Sequence, residues 1–342
     1  MILLCGIPTE EPLRMVRVQL DKLGARYVLF NQRDFGSSKL SFAVDRGQVR
    51  GELHIRGSRY LLSSFQAIYT RLMDDRSLPE LQDEPEDSPL RLVCRGLHEA
   101  LNRWMEISPA LVVNRCSSMG SNSSKPYQCQ LIRRIGFLVP ETLVTSNPDR
   151  VSEFRATHGR IIYKSISSVR SIVHTFEDSD LERIERIRWC PTQFQAYVEG
   201  TNIRVHVVGE RVYATAINSN ATDYRYAGKL LGVPASMSPT DLSDELAARC
   251  VKLARSLGLV FAGIDLKITR AHEVYCFEVN PSPAFSFYEG NTGQAISEGL
   301  ALALRDAEHT SLWGIPRGEY ETVLPASQRN DMAQPQASNH TF

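Results

Sequence analysis

FAGIDLKI (residues 261–268) and VYCFEVN (274–280) are two strand-like runs joined by a short polar turn, Thr269 to Glu273. Side chains two apart on a strand point to one face, so Glu278 and Asn280 project together, and an antiparallel neighbour brings Asp265 beside them. Two carboxylates and an amide carbonyl make an all-oxygen set. Such a set suits a hard cation such as magnesium, which keeps several waters and shares its remaining positions with nucleotide phosphates. The pair of runs therefore points to ATP. A surface hairpin with solvated acids is the competing reading, because D-x-n-E-x-N is a loose pattern by itself.

The chain around this hairpin is 342 residues long, 42% hydrophobic and 23% charged, enough for two or three lobes with proper cores. Its 39 basic residues balance 39 acidic ones, so no global field recruits nucleic acid or an anionic membrane, and any polyanion site must be local. No apolar run reaches the length of a membrane span, and the start MILLCGIPTEEP lacks a basic segment followed by a long apolar one. Seven cysteines are scattered without a C-x-x-C, and no histidine stands at metal-ligand spacing. They read as reduced thiols. A cytoplasmic location is the expectation.

Residues 2–7 read as a strand, 10–23 as an amphipathic helix stopped by Gly24, and 26–30 as a second strand, a β-α-β opening. Residues 41–55 alternate around Arg46 and Gly47 as a hairpin, and 67–72 predict another strand. The acidic, proline-bearing stretch 74–89 reads as a solvated connector before a helix at 91–107. A domain boundary is expected near 110. Beyond it come a strand, a polar Ser/Asn segment, a helix, and then strand after strand. Residues 202–208 and 211–217 form a hairpin, 241–257 a helix closed by Gly258, and 293–307 a last helix. From 311 the sequence is polar and aperiodic, which predicts a disordered tail over 311–342.

Several residues in this second part are candidates for chemistry, against the competing readings of a solvated lysine at 125, an ordinary strand exit after Lys164 and strand arginines that cover a core edge. In SNSSKPYQCQLIRRIG (121–136), Pro126 sits near the first helical position and Gly136 ends the run. Lys125 therefore stands at a helix N-terminus, an unfavourable place for a cation unless an anion is shared there. RIIYK (160–164) ends a strand in Lys164, and the loop that follows offers Ser165, Ser167, Ser168 and Arg170 to phosphate oxygens. In PTQFQAYVEGTNIRVHVVG (191–209) an extended run breaks at Glu199 and Gly200, so its backbone can present N–H and C=O groups to an adenine edge. Arg204 and His206 share one strand face and, with Arg225 in TDYRYAG, could converge on phosphate or carboxylate.

In this order the pieces resemble the ATP-grasp superfamily, most closely its branch of ribosomal-protein glutamate ligases and graspetide (microviridin-type) macrocyclases. The likeness rests on residues 114–145, 195–209 and 263–282, and YTRLMD (69–74) looks like the preceding domain of that branch. It implies an α/β protein: a pre-ATP-grasp α/β domain over 1–110, then a two-lobed ATP-grasp domain over 111–310 with the nucleotide between the lobes. Carried over by motif, Lys125 and Lys164, with Ser168, would hold the phosphates. Gln195, Tyr197 and Val198 would belong to the adenine hinge, with Asn202 at the ribose. Arg225, assisted by Arg204, would face the transferred phosphate, and Asp265, Glu278 and Asn280 would bind Mg2+, with Mn2+ as an alternative. The implied reaction is ATP-dependent carboxylate–amine ligation through an acyl phosphate, on an amino acid, peptide or peptide-like small molecule, with ADP and phosphate released. Peptide macrocyclisation is the alternative within the class, and a non-catalytic ATP-binding regulator the alternative outside it. No nucleic-acid or membrane partner is expected, and a homodimer is. The chain departs from the pattern in three places. The loop KSISSVRS lacks glycines, neutral Asn202 stands where the family has an acid, and PSPAFSFYEGNTG carries no tryptophan after Asn280.

Overall fold

A computed structural model describes residues 1–166, 173–219 and 235–307. The chain opens with β1 (Ile2–Gly6), α1 (Glu11–Lys22) and β2 (Tyr27–Asn31). The excursion β3 (Lys39–Asp45), β4 (Gln48–Ile55) and β5 (Ser58–Leu61) follows, then β6 (Ala67–Thr70), α2 (Pro89–Ile107) and β7 (Leu111–Val113). Strands β2, β1, β6 and β7 form one parallel sheet in that order, while β3–β5 form a separate antiparallel one. The β3–β4 turn falls at Arg46 and Gly47, both at positive φ. Burial of ILLC on both faces explains its uninterrupted apolar run, as expected for a parallel strand covered on two sides.

One expectation for this region needs correcting. Residues 74–89 are not a bare solvated connector. Leu78 and Leu81 are buried with Phe35 and Cys94, and Asp75 is buried in a pair with Arg91 at 2.6 Å and Arg95 at 3.0 Å. Acidic composition concealed a charge whose partners stand one and two turns into α2. The first sheet also takes in Leu111–Val113 as its edge strand beside β6.

The rest of the described chain runs α3 (Lys125–Arg134), β8 (Thr142–Thr145), α4 (Pro148–His158), β9 (Ile161–Ser165), β10 (His174–Thr175) and β11 (Thr192–Ala196). It continues through β12 (Thr201–Val208), β13 (Arg211–Asn218), β14 (Ser236–Thr240), α5 (Asp244–Ser256), β15 (Phe261–Ile268), β16 (Val274–Asn280), α6 (Ser286–Thr292) and α7 (Ile296–Arg305). A small antiparallel sheet, β10-β9-β11-β8, makes one lobe around Val151, Ile161, Phe176 and Phe194. A five-stranded antiparallel sheet, β14-β13-β12-β15-β16, makes the other. The expected helix over 293–307 forms as α7 alone, and a separate short helix, α6, precedes it and ends at Gly293, which lies at φ 69°.

β11 of the small sheet passes into β12 of the large one through Glu199 and Gly200. Gly200 lies at φ 156°, and a Cβ there would sit 2.3 Å from the Ile268 carbonyl oxygen, so only glycine lets the hinge lie this close to β15. α7 packs with α1 against the first sheet and the start of β15, in a core shared by Leu4, Leu13, Phe261, Phe285 and Leu300. Among the described residues, no helix is long and apolar enough to cross a membrane. Ser168, Arg170 and Arg225, most of the loop after Lys164, and the tail 311–342 lie outside the described residues.

Candidate functional site

The five-stranded sheet has two unlike faces. One carries Ile203, Val205, Val207, Ile264, Leu266, Cys276 and Val279, all buried against α5 and α3. On the other, register aligns polar side chains in rows. Asn202, Lys267 and Tyr275 form one row; Arg204, Asp265 and Glu278 the next; His206, Gly263 and Asn280 the third. Alternation alone does not produce this. Leu266 pairs with Cys276 whereas Asp265 pairs with Glu278, so Phe277 is an extra residue, a β-bulge. Without it Glu278 would follow Cys276 into the core, because a one-residue shift exchanges the faces of every later side chain. The bulge brings Asp265, Glu278 and Asn280 to one side.

Local acid repulsion is the simple expectation for such a cluster, yet each acid faces a base. Arg204 Nη1 donates to Asp265 Oδ1 at 2.7 Å, and Lys125 Nζ lies 3.0 Å from Glu278 Oε2. Gly263 makes room for this: a Cβ there would stand 2.2 Å from Arg204 Nη2. The anion expected at the N-terminus of α3 is thus supplied by Glu278. Lys125 also donates to Asn122 Oδ1 at 2.8 Å. Burial pushes the Glu278 carboxyl up, but Lys125, Lys164 and Arg204 together outweigh it and hold the group below its usual value. Lys164, on β9 of the small lobe, therefore bears on the same point as Lys125 and Arg204 of the large one. Cys129, one turn after Lys125, is pushed up by burial and drawn back by the same two lysines.

The hinge is built mostly from backbone. Gln195 is buried, its amide donating to Thr142 Oγ1 at 2.9 Å. The Tyr197 amide donates to the Arg160 carbonyl at 3.0 Å, and the Arg160 guanidinium lies 3.8 Å above the Tyr197 ring. Lys267 crosses from β15 to donate to the Val198 carbonyl at 2.9 Å, between the rings of Tyr197 and Phe277. A cavity of about 440 Å³ opens beside Tyr197, Val198 and Glu199, with Leu138, Glu141 and Tyr275 on its other walls. The two lysines and the acid cluster do not line it.

The structure thus brings Lys125, Arg204, Asp265, Glu278 and Asn280 together, sets Lys164 within electrostatic reach, and puts Gln195, Tyr197, Val198 and Asn202 along the hinge and its continuation. His206 does not join them as a cation. It is fully buried against Phe261 and Tyr288, and burial, then Arg204, holds its imidazole well below the usual value, hence neutral. Sequence reasoning passed over the side chains that fix the end of β16. Buried Asn114 accepts from the Val260 and Phe261 amides at 2.9 and 3.1 Å and donates to the Phe261 and Pro281 carbonyls, both at 2.6 Å. Arg71, tied to Glu10 at 2.7 Å, donates to Ser282 Oγ at 3.1 Å, and the Ser282 amide donates to Asn280 Oδ1 at 2.9 Å. Gln128 grips Val279 between the two expected ligands. Only their placement near motifs hinted at this.

Chemically, two carboxylates and a carboxamide oxygen on one face fit a hard, oxygen-seeking dication, and three bases around them fit a polyanion. Among the described residues, no group of three or more His, Cys, Asp or Glu side chains forms a metal cluster.

Residues 124–304 match the RimK-like ATP-grasp domain. The chain is 25% identical over 229 residues to a probable alpha-L-glutamate ligase of Xanthomonas axonopodis pv. citri, covering 62% of this chain and 74% of that protein. It superposes on a RiPP-associated ATP-grasp ligase of Chryseobacterium gregarium, solved with ADP and a leader and core peptide, with a TM-score of 0.75 at 23% identity over 89% of this chain and 96% of that one. The ATP-grasp ligase PsnB, solved with minimal precursor, Mg and ADP, gives a TM-score of 0.73 at 26% identity over 90% and 96%.

Proposed function

Since this chain belongs to the RimK-like ATP-grasp family and is an ATP-grasp ligase, we propose that it joins a carboxylate to an amine through an acyl phosphate, on an amino acid or peptide. The observation that carries this reading is the pair of exchangeable ion pairs on the open face of the large sheet, Lys125 with Glu278 and Arg204 with Asp265. A metal with phosphates gives each partner a better one: Asp265, Glu278 and Asn280 turn to the metal, and Lys125 and Lys164 to phosphate oxygens. The metal, Mg2+ or Mn2+, would neutralise charge on the phosphates. Gln195 to Val198 would face the adenine and Asn202 the ribose, while Ser168 and Arg225 retain their proposed phosphate roles.

In this reading the substrate carboxylate attacks the γ-phosphorus, the bond to ADP breaks, and an amine then displaces phosphate from the acyl phosphate. The residues supply positioning and charge, which is what phosphoryl transfer requires, and no protein nucleophile is used. We assign 1–110 as a preceding domain, 111–310 as the ligase domain, and the cytoplasm as its location. Neutral overall charge argues for a peptide or small-molecule partner over a nucleic acid or membrane.

The second reading, macrocyclisation of a precursor peptide, is favoured by one observation: the likeness to peptide-bound ligases runs through the preceding domain, covering 89–90% of this chain. Hydroxylamine discriminates the class. With ATP and a productive substrate, hydroxamate should accumulate along with ADP. A stable phosphorylated product would indicate a kinase, and ATP binding without ADP release a regulator.

A further inference from the structure

Among the described residues β16 is the edge strand of the five-stranded sheet, with no strand beside the outer side of its backbone. Near its start that side is closed by Leu138, which exchanges hydrogen bonds with Val274 and Cys276. Past the bulge at Phe277 a side chain takes over. Gln128 Nε2 donates to the Val279 carbonyl at 2.9 Å, and the Val279 amide donates to Gln128 Oε1, also at 2.9 Å. One carboxamide thereby reproduces the donor and acceptor of a paired strand residue. Gln128 is fully buried, and its second N–H reaches Ser121 Oγ at 3.4 Å.

The position of this clamp matters more than its strength. Val279 lies between Glu278 and Asn280, immediately after the irregularity that sets their facing. A bulge leaves the ladder locally disrupted, and a shift of one residue would carry both side chains into the core and Val279 out of it. We propose that Gln128 is a positioning residue for the metal site: its carboxamide, closed on both backbone groups of Val279, holds Glu278 and Asn280 in register with Asp265. Gln128 also stands one turn after Lys125, so the same turn of α3 that pairs with the Glu278 side chain grips the backbone of the next residue. Phosphate lysine and metal ligands are thus set by one rigid piece. The inference rests on the reading of Glu278 and Asn280 as metal ligands.

Gln128→Glu keeps the shape and replaces the amide donor with a carboxylate oxygen facing the Val279 carbonyl. Gln128→Met keeps the volume without either bond. For both, the apparent KM for Mg2+ in ADP release should rise about tenfold or more, as for other residues that orient metal ligands. ATP binding in EDTA, measured by calorimetry, should stay within about twofold of wild type, a split that general unfolding cannot produce. An unchanged KM for Mg2+ in a folded Gln128→Met protein would overturn the proposal. Glu278→Gln run in parallel separates the two claims. If it too leaves Mg2+ dependence unchanged, the metal reading itself has failed. If it abolishes that dependence while Gln128→Met does not, only the role of Gln128 has.

Discussion

Glu278→Gln separates the two roles that the geometry gives this residue, counter-ion to Lys125 and ligand to a metal. At 3.0 Å two unit charges in an effective dielectric of about 20 attract by about 5.5 kcal/mol. Releasing a buried carboxylate from its desolvation penalty returns several kcal/mol of that. The net loss of stability should therefore be about 1–2 kcal/mol, a fall of a few degrees in Tm for a chain of this size. The catalytic cost is of another order, because losing an anionic ligand at the point of phosphate charge is worth about 4 kcal/mol, or about a thousandfold in rate. Calorimetry with ATP, with and without Mg2+, should show the metal-dependent part of the affinity lost, and ADP release should fall to match. Metal-dependent binding and turnover within about threefold of wild type, alongside the expected drop in Tm, would refute the reasoning and leave Glu278 as a structural partner of Lys125.

Lys164→Ala should weaken ATP binding about tenfold or more while leaving adenosine unchanged in the same calorimeter, since an ammonium on phosphate contributes only where the polyanion is present. Gly200→Ala should destabilise by about 2 kcal/mol and open the hinge, because its Cβ meets backbone at Ile268 rather than a side chain that can yield; urea midpoints and ATP affinity should fall together. Asp75→Asn should cost about 3 kcal/mol by leaving Arg91 buried without its charge partner. Hydrogen bonding from Arg95, against the effect of burial and with help from Arg91, holds the Asp75 carboxyl below its ordinary 3.8. A lowered folded value contributes stability that is full above 3.8 and lost as pH falls below it, so the gap between wild type and Asp75→Asn in urea midpoints should narrow on acidification through that range.

Much of the site was legible because its motifs coincide with element boundaries. Lys125 at a helix start, Lys164 at a strand end, the break at Glu199 and Gly200, and the Asp265 and Glu278 hairpin were all marked by caps, turns or alternation. What escaped the sequence were relations between distant segments. VYCFEVN, read by alternation, puts Glu278 on the face of Cys276, and only pairing with β15 reveals Phe277 as the extra residue. The buried state of Asp75 depends on Arg91 and Arg95 in another element, and the neutrality of His206 on Phe261 and Tyr288. Gln128 and Asn114 look like ordinary polar residues of a helix and a strand exit. Their importance lies in which backbone groups, some 150 residues away, they happen to meet.

The central claim, activation of a carboxylate by phosphoryl transfer from ATP, is tested most directly with isotope. An amino acid or peptide that stimulates ADP release is prepared with 18O in its carboxyl groups, and the released phosphate is analysed by mass spectrometry. The account predicts that each phosphate carries one labelled oxygen taken from the carboxylate, in step with the product formed. ADP accompanied by phosphate without label would contradict it, because the γ-phosphate would then have gone to water or to another acceptor.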